Sequence, residues 1–93
     1  MKYKFLIHGK NDSVGVAVQD IAAGEKVIGV FLDSNDEVEI KANNNICLGH
    51  KIAVESVKKG DVVHEYDEII GKATEDFNAG DHVHVHNIKS ARW

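Results

Sequence analysis

The sequence predicts a small, mainly β domain of short strands and tight turns. Three observations carry this reading: one strand-turn-strand motif recurs, the segments between its copies alternate apolar and polar residues with a period of two, and amphipathic helical spacing is weak everywhere. A chain of 93 residues has room for one domain, spanning 1–93, and one core.

Taken in order, Tyr3 to His8 alternates and reads as a first strand, and His8-Gly-Lys-Asn-Asp-Ser13 as a turn. The motif first appears over Ala17 to Val27 and returns over Ala53 to Val63 and Ala73 to Val83. Its shared pattern is Ala, a β-branched residue, Gln or Glu, Asp or Ser, an apolar residue, two free positions, Gly, Glu or Asp, a free position, and Val. A β-branched strand leads to an apolar anchor; the glycine is free to take positive φ, and the acidic residue opens the next strand. Single helical turns are expected inside the copies. Strands are also expected at Lys26–Phe31, Glu37–Ile40 and Asp81–Ile88, with a turn at Asp33–Asp36. Asn43-Asn-Asn45 reads as a loop that tolerates left-handed backbone.

Charge excludes some functions. Against 15 acidic residues stand 11 basic ones, for a net charge of −4, with no basic run longer than Lys58-Lys59; no nucleic-acid partner is expected. The only early apolar run, Phe5 to Ile7, is far too short for a secretory or membrane-spanning segment, so the expectation is a cytoplasmic protein without a membrane partner. So small a core makes a protein partner, or a homo-oligomer of the isolated chain, plausible. The lone Cys47 cannot form an internal disulfide and is expected to be a small buried apolar residue.

Six histidines carry most of the candidate chemistry. On a strand, His82, His84 and His86 share one face while Val83 and Val85 take the other. Same-face neighbours lie about 6.5–7 Å apart at the backbone, so an adjacent pair can lean onto one ion at about 2.1 Å, whereas His82 and His86 cannot both reach it. Metal ligation, acid/base work and a solvated row all remain open on spacing alone. His50 and Lys51 sit where the Asn-rich loop enters a strand, and that pair suits a substrate carboxylate or a polarised oxygen. His8 and His64 read as satisfied or solvated imidazoles. The terminal Arg92-Trp93 pair suits an interface anchor.

Ile46-Cys-Leu-Gly-His-Lys-Ile-Ala-Val54, Tyr66 to Thr74, Ala79 to Asn87, the ending Lys89-Ser-Ala-Arg-Trp93 and the early Asp12 to Val18 together resemble the small subunit, or N-terminal domain, of the altronate/galactarate dehydratase family, close to its sulfolactate sulfo-lyase branch. The repeats also resemble the SAF domain, a small β-clip fold. The resemblance implies a small subunit of a hydroxy-acid lyase, assisting loss of water from a sugar acid, or of sulfite from 3-sulfolactate, to leave a 2-keto acid. It implies a divalent metal, iron (Fe2+) first, with Mn2+ or Zn2+ as alternatives, and a large lyase subunit as partner. It assigns His50 and Lys51 to substrate carboxylate or leaving-group contacts and His84 and His86 to metal or acid/base work. Asn87 orients that pair, and His82 is a further member of the site. The alternative is a stand-alone module that binds an acidic sugar or other anion without catalysis.

Overall fold

The computed structural model describes residues 2–66, 68–84 and 87–90. Among the described residues nine short strands follow one another: β1 (Phe5–Ile7), β2 (Val14–Ala17), β3 (Lys26–Phe31), β4 (Glu37–Lys41), β5 (Lys51–Ala53), β6 (Val62–Glu65), β7 (Glu68–Ala73), β8 (His82–Val83) and β9 (Ile88–Ser90). They form a six-stranded sheet in the order β4-β3-β1-β2-β5-β8 and a three-stranded sheet β6-β7-β9. Among the described strands β1 and β3 pair in parallel and the other neighbours are antiparallel. The class is therefore mainly β, as the alternation predicts. The expected helical turns inside the repeats are not helical among the described residues: each is an isolated bridge followed by a tight turn.

The repeat itself explains how the chain closes, and the structure shows four copies where the sequence displays three. The additional one is Ala42 to Ile52, with Ile46 as its apolar anchor and Gly49 as its turn glycine. Gly24, Gly49, Gly60 and Gly80 all have φ between +86° and +96°, the region that a side chain resists. The copies work in reciprocal pairs. Ile21 bridges Ile46, and Val57 bridges Phe77. Gly24 N–H donates to Ala42 C=O while Gly49 N–H donates to Ala17 C=O; Gly60 and Gly80 do the same with Ala73 and Ala53.

The fourth position completes the exchange in three of the copies. Asp20 accepts from the Leu48 N–H, Asn45 from the Ala23 N–H and Asp76 from the Lys59 N–H, at 2.8–2.9 Å. Turn amides that the strands cannot pair are thus bonded by the partner copy's side chain. Each pair also closes its own core. The first, with Phe5 and Ile7 of β1, packs Ala17, Ile21, Val27, Ala42, Ile46 and Ile52; the second packs Ala53, Val57, Val63, Ala73, Phe77 and Val83 with Val14. Strand β5 lies between them, sending Ile52 to one core and Ala53 to the other.

Three local expectations are corrected. Asn43–Asn45 do not take left-handed backbone: the described non-glycine residues with positive φ are Asn35 and Tyr66. The asparagine amides act as clamps instead, Asn43 donating to Asp81 and the Ala79 C=O, and Asn44 accepting from the His82 N–H. Cys47 is exposed, because it occupies a free position of the fourth copy's turn while Ile46 beside it supplies the buried anchor. The strand expected over Asp81–Ile88 stops after Val83, and the His84 C=O accepts from the N–H groups of Asn87 and Ile88, closing a turn before β9.

Candidate functional site

His50, His82 and His84 come together at the end of the six-stranded sheet. In the antiparallel pair β5–β8, Ile52 lies opposite His82 and Lys51 opposite Val83. Residues opposite each other share a face, and His50 lies two before Ile52, so the His50 and His82 rings meet on one side. His50 Nδ1 is 2.8 Å from His82 Nε2. The three rings stack nearly parallel, with centroids 4.4 Å (His50–His84), 5.1 Å (His50–His82) and 5.9 Å (His82–His84) apart. A short ring N to ring N contact of this kind needs a proton on one side and a lone pair on the other.

Main-chain anchors hold this cluster in place. The Asn44 carboxamide fixes the His82 N–H. Asn87, only 3% exposed, accepts from the His84 N–H at 2.9 Å and donates to the His82 C=O at 2.8 Å. Asn87 therefore acts on the cluster through the backbone of the two histidines. His86, Val85, Arg92 and Trp93 lie outside the described residues, and with them half of the expected His84–His86 ligand pair and the terminal interface anchor.

Lys51 is taken elsewhere. It leaves β5 on the face of Val16 and Val83, away from His50, and its ammonium lies 3.8 Å from Glu65 Oε1. Strand alternation separates the two members of the expected pair. Glu65 is 8% exposed, and its Oε2 has no hydrogen-bond partner among the described residues. Burial pushes its carboxyl above the usual carboxylate range; Lys51 opposes that rise and neighbouring Asp12 adds to it. Asp12, 1% exposed, accepts from the Tyr66 N–H at 3.0 Å, holding Tyr66 at a φ of +56°. His8 is exposed and packs its ring on Tyr66, and His64 is half-buried in β6.

The fit to a metal can be judged from the rings. The His50 Nδ1–His82 Nε2 contact engages one ring nitrogen of each residue in a hydrogen bond, so neither nitrogen is open to a metal while that bond is made. No group of three His, Cys, Asp or Glu side chains among the described residues is arranged to hold a metal ion. These residues do not build a metal site on their own.

Sequence reasoning missed Glu65, Asp12 and Asn44. Asn44 carried a signal: it precedes the anchor Ile46 in a fourth copy of the repeat, which ties its loop to the strand of His82. Glu65 and Asp12 carried none, being 53 residues apart in the chain and brought together where the segment leading into β2 bonds to His64 and Tyr66 at the end of β6.

The chain matches the altronate/galactarate dehydratase SAF domain family over residues 3–91. Over its full length it is 33% identical to the (2R)-sulfolactate sulfo-lyase subunit alpha of Chromohalobacter salexigens, covering all of that protein. The subunit alpha of Paracoccus pantotrophus is 42% identical over 69% of this chain and 96% of its own length. The altronate dehydratase of Bacillus subtilis is 38% identical over 97% of this chain, which spans only 17% of that enzyme.

Proposed function

We propose, since this chain belongs to the altronate/galactarate dehydratase SAF-domain family, that it is the small subunit of a two-subunit hydroxy-acid lyase and contributes acid/base groups to a site completed by a large subunit. The correspondence with all of one sulfo-lyase alpha subunit and 96% of a second supports the two-chain arrangement, against about one-sixth coverage of an altronate dehydratase. The observation that carries the chemical part is the His50–His82 contact, backed by His84.

The reaction proposed is a β-elimination. The C2–H bond of a 2-hydroxy acid breaks, its electron pair forms the C2–C3 double bond, and the bond from C3 to sulfite or hydroxide breaks. The enol then takes a proton at C3, gives up its hydroxyl proton and becomes a 2-keto acid. With the shared proton on His50 Nδ1, the lone pair at His50 Nε2 is left to accept the C2 proton, and the imidazolium formed is stabilised by donating to His82 Nε2. His84, stacked on His50, supplies a second imidazole for the proton given to the leaving group or to C3. Lys51 faces the other side of the sheet and has no step here. The steps assigned to this chain are carried by its imidazoles.

The test is co-expression with a large subunit of the sulfo-lyase or dehydratase type, assayed with (2R)-sulfolactate and, separately, altronate. The expected result is turnover by the complex and none by either chain alone. His50→Ala and His84→Ala should lower kcat by about 10²- to 10⁴-fold without disturbing assembly. Unchanged turnover in both variants refutes the acid/base role. Substrate binding by the isolated chain as tight as by the complex, with no turnover by either, would establish the binding module instead.

A further inference from the structure

Glu65, the buried carboxyl that the proposed reaction does not use, lines a recess of about 140 Å³ on the outer side of β1 and β2. Leu6, Val16 and Val18 form its apolar walls, and His8 and Tyr66 stand at its rim. At about 30 Å³ per water, the space holds four to five waters, the size of a five-heavy-atom alkylammonium. Two further features mark it as a place that expects company. Leu32 and Tyr66 expose 51% and 57% of their surface beside the opening, an apolar collar on a small acidic domain. Tyr66 is held in left-handed backbone, a conformation that non-glycine residues resist, by the buried carboxylate of Asp12.

The charge balance names the occupant. The ammonium beside Glu65, that of Lys51, lies 3.8 Å away, too far to make a good hydrogen bond, and Glu65 Oε2 has no hydrogen-bond partner among the described residues. An apolar wall ending in a carboxyl short of a donor suits an aliphatic stem with a cationic tip. We propose that this recess receives a lysine side chain of the large subunit, its methylenes against Leu6, Val16 and Val18 and its ammonium on the Glu65 carboxylate. The terminal torsion of a glutamate is soft, so Glu65 can turn its enclosed Oε2 toward the incoming group. The identity of the donor chain rests on the two-subunit reading; the chemistry of the recess does not.

The experiment titrates n-butylammonium, n-butanol and n-butyrate into the isolated, methyl-labelled chain, followed by NMR. The expected result is saturable shifts at the Leu6, Val16, Val18 and Leu32 methyls, with the ammonium binding roughly ten-fold tighter than the alcohol, as a charge-assisted bond implies, and the carboxylate not binding. Glu65→Gln should reduce the ammonium to the level of the alcohol. Lys51→Met, which removes the competing cation, should tighten it. Equal affinity for ammonium and alcohol, no saturable shift, or an ammonium affinity untouched by Glu65→Gln overturns the proposal. In the co-expressed complex, Glu65→Gln and Leu32→Glu should each weaken subunit association. Full-strength association of both variants overturns the docking while leaving the lyase reading intact. Failure of the wild-type chains to associate sinks the lyase reading and the donor assignment together, and leaves the ammonium titration to judge the recess.

Discussion

Gly80→Ala should be far more damaging than the same change at the other turn glycines. All four glycines have positive φ, and an L-residue there costs about 1–2 kcal/mol. At Gly24, Gly49 and Gly60 an added methyl meets nothing within 4 Å, so that backbone term is the whole cost. At Gly80 the methyl carbon would lie 2.2 Å from the Lys41 carbonyl oxygen and 3.3 Å from Asn43 Nδ2. Main chain cannot step aside as a flexible side chain can, so the clash adds about 1–3 kcal/mol. The sum, about 2–5 kcal/mol, is a large part of the roughly 5–14 kcal/mol available to a domain of this length. At about 4–8 °C per kcal/mol, Gly60→Ala should lower Tm by roughly 5–15 °C and Gly80→Ala by roughly 10–40 °C. Thermal and urea unfolding followed by circular dichroism would measure both. The movement required at Lys41 and Asn43 also disturbs the asparagine clamps on Asp81 and His82, so the His82 imidazole signals should shift in Gly80→Ala alone. A Gly80→Ala variant no less stable than Gly60→Ala would refute the reasoning.

The pH dependence of stability should bear the mark of Glu65. Its folded carboxyl holds its proton to higher pH than the unfolded one, chiefly through burial, so the folded state binds more protons in that window and stability falls as pH rises through it. Urea unfolding from pH 4 to 8 should therefore show wild type losing ground to Glu65→Gln as pH rises, with a constant gap above the window; parallel curves would remove Glu65 as the cause. Asn87→Ala deletes two hydrogen bonds to the His82 and His84 backbone from a buried position and should cost about 1–3 kcal/mol, with the ring signals of both histidines displaced; a neutral change would show that the stack is held by other contacts. Titration of the isolated chain with Fe(II), Mn(II) or Zn(II) should give no tight stoichiometric binding; a one-to-one complex lost in a His84→Ala/His86→Ala double variant would instead establish those residues as ligands.

How far the sequence could be read depended on where the repeat was kept intact. Val27 and Val83 lie in the cores because alternation and the repeat both place them there, Phe5 follows from alternation and Val63 from the repeat, and β3 spans the predicted residues without adjustment. The break after Val83 was not legible, since an unbroken run of alternating His and Val is the pattern of a continuous strand. What stops it is a buried asparagine from beyond the run, Asn87, bonding back to His82 and His84. Nor could period-two reasoning within one strand bring His50 to His82, because their meeting depends on the β5–β8 register.

The copy that was hardest to see is the one that carries the candidate chemistry. After the turn glycine the other copies have Glu25, Asp61 and Asp81, and two of these close their own turn: Glu25 accepts from the Ala22 N–H and Asp81 from the Asn78 N–H. Ala42 to Ile52 has His50 at that position and Asn-Asn-Asn before its anchor, so the acidic residue and the β-branched residue that identify the motif are both missing. The turn still forms, because the Gly49 conformation, the Ile21–Ile46 bridge and the Asp20 contact from the paired copy suffice without the acid. A position relieved of its own capping duty can present a ring elsewhere, and His50 turns to His82, which occupies the free position after Asp81 in the fourth turn. Fold and site thus use the same device: reciprocal pairing makes one turn's acid dispensable, and the imidazole cluster is built where it has been dispensed with. Restoring the repeat with His50→Asp should therefore leave the domain folded, by circular dichroism and urea midpoint, while abolishing turnover in the complex. An unfolded His50→Asp chain would show that this position serves the fold first, and the argument from the repeat would fail with it.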